Sequence, residues 1–173
     1  LQGVPTKYIK GKMSITTRNY KTTDKTDIIS IQNACVDVSG NCVSNEYKLK
    51  EEHINKDVQG NQEYVLAENN GVIVGFGRYH KNKITMLCVS RAISQDDARK
   101  VFHYLVKELT SRIKKNGYKE VVSFIRDDAS ETLGLVSVYT HKERLRKEYK
   151  TLCYKYSYDC DAVITKATEV RNT

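Results

Sequence analysis

Apolar positions along this chain alternate in some stretches and recur every three to four residues in others, and the changes of period outline a mixed order of strands and helices. Ile15 to Tyr20 reads as a short strand. Lys21-Thr22-Thr23-Asp24 then leads into a helix with Ile28, Ile31 and Cys35 on one face. Gly40 and Asn41 interrupt the pattern, after which Asn45 to Val58 reads as a more polar helix with Tyr47, Leu49 and Ile54 for burial. Glu63 to Glu68 and Val72 to Tyr79 are β-rich runs on either side of Asn69-Asn70-Gly71, residues that readily take the positive φ of a tight hairpin. A second turn at Lys81-Asn82-Lys83 and a third run, Ile84 to Ser90, complete an antiparallel meander over 63–90.

Ser94-Gln95-Asp96-Asp97 has the make-up of a helix start, with Ser94 able to accept from a free amide and the acids favoured at the positive end. Val101, Leu105, Leu109 and Ile113 follow at four-residue spacing with Phe102 beside them, while Arg99, His103, Lys107 and Lys114 fall on the other side. This predicts an amphipathic helix against a sheet, closed by Asn116-Gly117. Val121 to Ile125 then forms a buried strand, parallel to the preceding one through a right-handed crossover. Ser130 to Tyr139 fits a short helix or a strand, Thr151 to Tyr158 a last strand, and Ala162 to Thr173 a frayed tail. The expected division is therefore a flexible or processed end at 1–12, one domain over 13–160, and a tail over 161–173.

The chain has 173 residues and no run near the ~20 apolar residues a membrane helix needs, so a soluble single domain is expected. The amino terminus has no apolar signal core, and the five cysteines form no CxxC, which favours a reducing cytoplasm over a disulfide framework or a common zinc site. The net charge of +8 points to a polyanionic partner or cofactor. The basic residues gather at 98–119, with Arg99, Lys107 and Lys114, and at 142–150, with Arg144 and Arg146; on one shared face they would hold a nucleic-acid backbone.

The element order resembles the GCN5-related N-acetyltransferase (GNAT) superfamily over residues 13–158. The resemblance implies an α/β fold with a mixed, splayed central sheet flanked by helices. It also implies an acyl-CoA lying where the fourth strand parts from the fifth, bonded to the backbone of Met86, Leu87, Cys88, Val89 and Ser90, with its pyrophosphate on the following helix start. This chain departs from the family's R/Q-x-x-G-x-G/A loop. Ser90-Arg91-Ala92-Ile93-Ser94-Gln95-Asp96-Asp97 has no glycine and sets two acids where the phosphates would sit, which predicts weakened pyrophosphate binding.

A narrower resemblance lies in Leu87-Cys88-Val89-Ser90-Arg91, in Val121 to Asp128, and in Gly134 to Tyr139. These look like the divergent GNAT branch of phage Mom-type DNA-modification proteins, which likewise lacks the pyrophosphate signature. It implies Arg91, Asp128 (or Asp127) and Tyr139 as catalytic residues, an adenine amine of DNA as acceptor, a viral origin acting in the host-cell cytoplasm, and iron, for which His53 and His80 are the candidate ligands. Two other functions stay open: an acyl-CoA-dependent N-acetyltransferase of a small-molecule or protein amine, and a non-catalytic module binding nucleic acid or protein. Simpler structural roles stay open too. Arg91 pairs with Asp96 or Asp97, Asp127 and Asp128 cap the next segment, Cys88 is a packed thiol, and Tyr154, Tyr156 and Tyr158 pack under a helix instead of stacking on bases.

Overall fold

The computed structural model describes residues 13–36, 48–148 and 151–172. Its strands are β1 (Ile15–Asn19), β2 (Glu63–Asn69), β3 (Val72–His80), β4 (Lys83–Val89), β5 (Glu120–Arg126), β6 (Lys142–Glu148) and β7 (Thr151–Asp159). Its α-helices are α1 (Lys25–Val36), α2 (Glu51–Gln59), α3 (Gln95–Lys115), α4 (Ser130–Val136) and α5 (Cys160–Val170). One sheet runs β1-β2-β3-β4-β5-β7-β6, antiparallel throughout except between β4 and β5. The mixed α/β sheet flanked by helices is the expected fold class.

The meander forms as its turns dictate. Asn70 and Gly71 both take positive φ, 51° and 83°, whose twist suits a two-residue hairpin. Ser94 caps α3, its hydroxyl accepting from the Asp97 amide at 3.1 Å. The apolar stripe of α3 packs on β3, and Gly77 allows the close approach: a Cβ there would lie 2.5 Å from Leu109 Cδ1. On the opposite sheet face, Ile28, Ile31 and Cys35 of α1 join Ile54 of α2 over Leu66, Phe76 and Cys88. Cys88 is thus a packed thiol.

Four expectations change. The helix placed over 45–58 begins only at Glu51, where His53 Nδ1 accepts from the Lys50 amide at 3.0 Å; Asn45 to Tyr47 lie outside the described residues. Residues 142–148, read as a basic cluster, also form the outer strand β6; charged residues are a usual guard on an edge strand and leave no apolar period to read. The tail over 161–173 is largely the helix α5, capped by Asp159, which accepts from the Ala162 amide at 2.9 Å. It buries Val163 and Ala167, so the domain runs past residue 160. His103 is only 2% exposed instead of lying on a solvated side, its ring packed against Tyr139 and Phe102.

Candidate functional site

β4 and β5 pair only where the first two residues of β4 meet the middle of β5, Lys83 with Val122 and Ile84 with Ser123, and then part. The separation has a local cause. Arg78 and Tyr79 of β3 face Met86 and Ile84, so Thr85 is an extra residue on β4, and such a bulge bends the strand that carries it. The bulge falls one residue after the β5 pairing stops. Arg78 stabilises it by donating through Nε to Thr85 Oγ1 at 2.9 Å and through Nη1 to Asp57 at 2.8 Å. Tyr64 donates to the same carboxylate at 2.7 Å.

The freed edge of β4 is a row of backbone groups. Ser90 donates to Val74 O at 2.8 Å, which makes that facing pair hydrogen-bonded; by strict alternation Met86 and Cys88 bond to β3, while Leu87 and Val89 turn their N–H and C=O groups away from it towards the gap, where the Val89 carbonyl already accepts from Cys35 Sγ at 3.5 Å. A cavity of about 620 Å³ crosses the sheet here. On the α2 face it is lined by Asp57, Arg78, Lys83, Thr85 and Arg126, and on the α3 face by Phe102, Val106, Thr110, Tyr139 and Tyr158. Met86 and Leu87 also line it.

Each expected catalytic side chain has a partner of its own. Arg91 meets Glu131 of α4 at 3.3 Å across the open end of the gap, not Asp96 or Asp97. Asp128 pairs with Arg126 at 2.6 Å and is 60% exposed; it does not cap α4 with its side chain. Tyr139 is buried, and its hydroxyl lies 2.7 Å from His103 Nδ1. No hydrogen bond or ion pair among the described residues joins any two of the three. Burial raises the Tyr139 phenol well above its ordinary range, so it stays protonated. Burial, with the Arg99 charge adding to it, lowers His103 to about 4, so the ring is neutral at pH 7. Sequence reasoning missed His103 because Tyr139 lies 36 residues away; it missed Glu131, Arg126 and the Arg78–Thr85 contact because none belongs to a motif.

The remaining expected residues are placed as follows. Arg99 donates to Val170 O at 3.1 Å, closing the end of α5, and also meets Asp96 at 3.4 Å. Lys114 pairs with Asp161, and Lys107 is half-buried on α3. Arg144 and Arg146 stand on β6 opposite Lys155 and Cys153, with their side chains outside the described residues. Tyr156 and Tyr158 are buried, which favours the packing role for that row. His80 Nδ1 lies 3.3 Å from Asn61 O, and His53 is engaged at the start of α2. Among the described residues no group of three His, Cys, Asp or Glu side chains is set to hold a metal ion, so the residues present do not fit the iron that the narrower resemblance implied.

For an acyl thioester the fit is divided. The freed edge of β4 and the cavity suit an acyl group and an amide-bearing arm. The helix start does not suit a pyrophosphate in the usual way, since Ser94 already occupies the Asp97 amide and Asp96 draws in Arg99 and Lys100.

No family model matches the sequence, and no curated protein matches it closely enough to count as a relative. Solved structures do match. A ribosomal-protein-alanine N-acetyltransferase from Brucella melitensis superposes with a TM-score of 0.66 at 13% identity, covering 83% of this chain and 99% of that one. The chain has the GNAT fold. A GNAT phosphinothricin acetyltransferase from Sinorhizobium meliloti, solved with acetyl-CoA, matches with a TM-score of 0.64 at 15% identity over 83% of this chain and 88% of the other. The putative acetyltransferase yncA from Salmonella typhimurium, also with acetyl-CoA, gives 0.62 at 14% identity over 85% and 94%. Among the described residues no helix is long and apolar enough to cross a membrane.

Proposed function

We propose that this GNAT-fold chain is a group-transfer enzyme of the N-acyltransferase type, which holds an acyl thioester along the freed edge of β4 and passes its acyl group to an amine presented from the α2 face. The observation that carries the reading is the cavity crossing the sheet where β4 leaves β5. Leu87 and Val89 would bond the donor's amide arm, and acetyl-CoA is its simplest form. Bound there, the thioester supplies an activated carbonyl. The C–N bond forms as the C–S bond breaks, and the proton lost by the amine is balanced by one gained by the departing thiolate.

The chain's own residues divide the work. With Nδ1–H of neutral His103 donating to the Tyr139 oxygen, the phenolic proton is free to meet the thiolate sulfur. Arg91, at the open end of the gap, would turn from Glu131 to a donor phosphate, taking over what the capped helix start does not offer. Asp128 acts through Arg126, which it holds at the α2-face wall.

For the acceptor, the net charge of +8 favours the reading carried by the narrower resemblance, an exocyclic amine of adenine in DNA. The base would then enter the α2-face opening flipped or from a single strand; Arg99, Lys107 and Lys114 stand on α3, on the other face of the sheet, and would meet only backbone that wraps around the domain. A small-molecule or protein amine is the alternative. The test is thiol release from acetyl-CoA in the presence of DNA, a protein extract or a panel of small amines, with mass spectrometry of nucleosides, proteins and amines. Transfer that falls at least tenfold in Arg91→Ala and Tyr139→Phe, both folded, supports the reading. Binding without turnover supports the module instead, and transfer unchanged in both variants removes these residues from the site.

A further inference from the structure

The α3-face part of the cavity carries two hydroxyls that the fold does not use. Phe102, Val106 and Thr110 lie at four-residue spacing on the inner side of α3 and form one wall, while Val163 of α5 and Tyr158 of β7 form another. Thr110 is 0% exposed and Tyr158 is 6% exposed. Neither Thr110 Oγ1 nor Tyr158 Oη has a hydrogen-bond partner. Ser123 is close enough to bear on the Tyr158 phenol but lies outside hydrogen-bond geometry. Leaving a buried hydroxyl unpaired forfeits its hydration with nothing in return, and native interiors hold few such groups. Two on the wall of one cavity mark the place of a ligand's polar atoms.

Their position bears on which end of the ligand they read. Tyr158 faces Val121 across the β5–β7 ladder, and Val121 directly precedes Val122, the first residue of β5 to pair with β4. Tyr158 is therefore rooted beside the closed end of the gap, with Thr110 on the helix wall of the same cavity, whereas the donor's arm runs along Leu87 and Val89 towards the open end. An acyl chain continuing past the thioester carbonyl enters this space. The walls also restrict its charge. The Arg78, Lys83 and Arg126 cations and the Asp57 carboxylate line the other face, and the α3 side presents apolar groups and neutral hydroxyls.

Building on the acyl-thioester reading, we propose that the donor's acyl group is longer than acetyl, is uncharged, and bears a hydroxyl or amide towards its far end that Thr110 and Tyr158 hydrogen-bond. Acetyl has no polar atom beyond the carbonyl and leaves both hydroxyls unpaired. A plain alkyl chain fills the space but leaves the same groups without partners, so discrimination comes from the site's own unpaired hydroxyls.

The test is calorimetric binding of acetyl-CoA, butyryl-CoA, and 3- and 4-hydroxybutyryl-CoA to the full chain and to the Thr110→Val/Tyr158→Phe double variant. The expected result is that one hydroxybutyryl thioester binds roughly tenfold to a hundredfold tighter than butyryl-CoA, and that the double variant brings the two within about threefold. Equal binding of butyryl and both hydroxybutyryl thioesters by the unaltered chain overturns the proposal, as does a preference that survives in the variant. Tightest binding of acetyl-CoA overturns it too while leaving the donor site standing. Failure of all four thioesters to bind defeats the donor-site reading and this proposal with it. Should the variant not fold, the ranking by the unaltered chain decides alone.

Discussion

Taking the protein from pH 7 to pH 4 tests the buried His103–Tyr139 pair. His103 is nearly inaccessible to solvent, its Nδ1 is 2.7 Å from the Tyr139 hydroxyl, and the Phe102 ring meets it edge-on at 5.4 Å between centroids. Burial holds its folded-state pKa at about 4, against 6.5 in the unfolded chain. As the pH falls from 6.5 towards 4, the unfolded chain therefore binds a proton that the folded chain refuses. Stability is lost over that window, by about 3 kcal/mol once it is crossed. That is a large part of the roughly 5–15 kcal/mol that holds a domain folded.

Urea unfolding of the unaltered chain and of His103→Asn, at both pH values, isolates the effect. Asparagine can still bond Tyr139 but takes up no proton, and the other titrating groups cancel in the difference between the two proteins. The advantage of the unaltered chain over His103→Asn at pH 7 should shrink by about 3 kcal/mol at pH 4. A difference that stays constant between the two pH values would refute the reasoning.

The close packing of α3 on β3 predicts that Gly77→Ala destabilises the protein by about 1–3 kcal/mol in urea unfolding, since the new Cβ meets buried Leu109; an unchanged midpoint would contradict that packing. Asp24 accepts from both Arg18 terminal nitrogens at 2.8 Å and from the Lys21 amide at 2.7 Å, and the Arg18 bond, the largest cause, holds its carboxyl below the usual range. Asp24→Asn should cost about 2–3 kcal/mol at pH 7, with the gap to the unaltered chain present above the ordinary carboxylate pKa and closing as the pH falls below it; a gap independent of pH would count against the ion pair.

What the sequence made legible was local. The Asn70-Gly71 hairpin, the Ser94 cap and the apolar stripe of α3 each depend on residues within one or two turns of one another. β6 was hidden because an edge strand of six charged residues around Leu145 lacks the apolar period that marks the inner strands. α5 did leave a signal, Asp159 ahead of Cys160, Val163 and Ala167 at helical spacing, yet its burial depends on a side of α3 that reads as polar. His103 was assigned to solvent because the residue that covers it, Tyr139, lies 36 positions further along the chain. The gap between β4 and β5 followed from the resemblance, but the bulge that opens it at Thr85 is set by strand register, and the partners of Arg91, Asp128 and Tyr139 lie on other elements or outside any motif.

The most direct measurement is amide hydrogen exchange, resolved to single residues, with and without saturating acetyl-CoA. The amides of Leu87 and Val89, which face the gap, should slow at least about tenfold on binding, while those of Met86 and Cys88, already bonded to β3, should hold their rates. Binding of acetyl-CoA with Leu87 and Val89 exchanging at their original rates would contradict a donor site along β4.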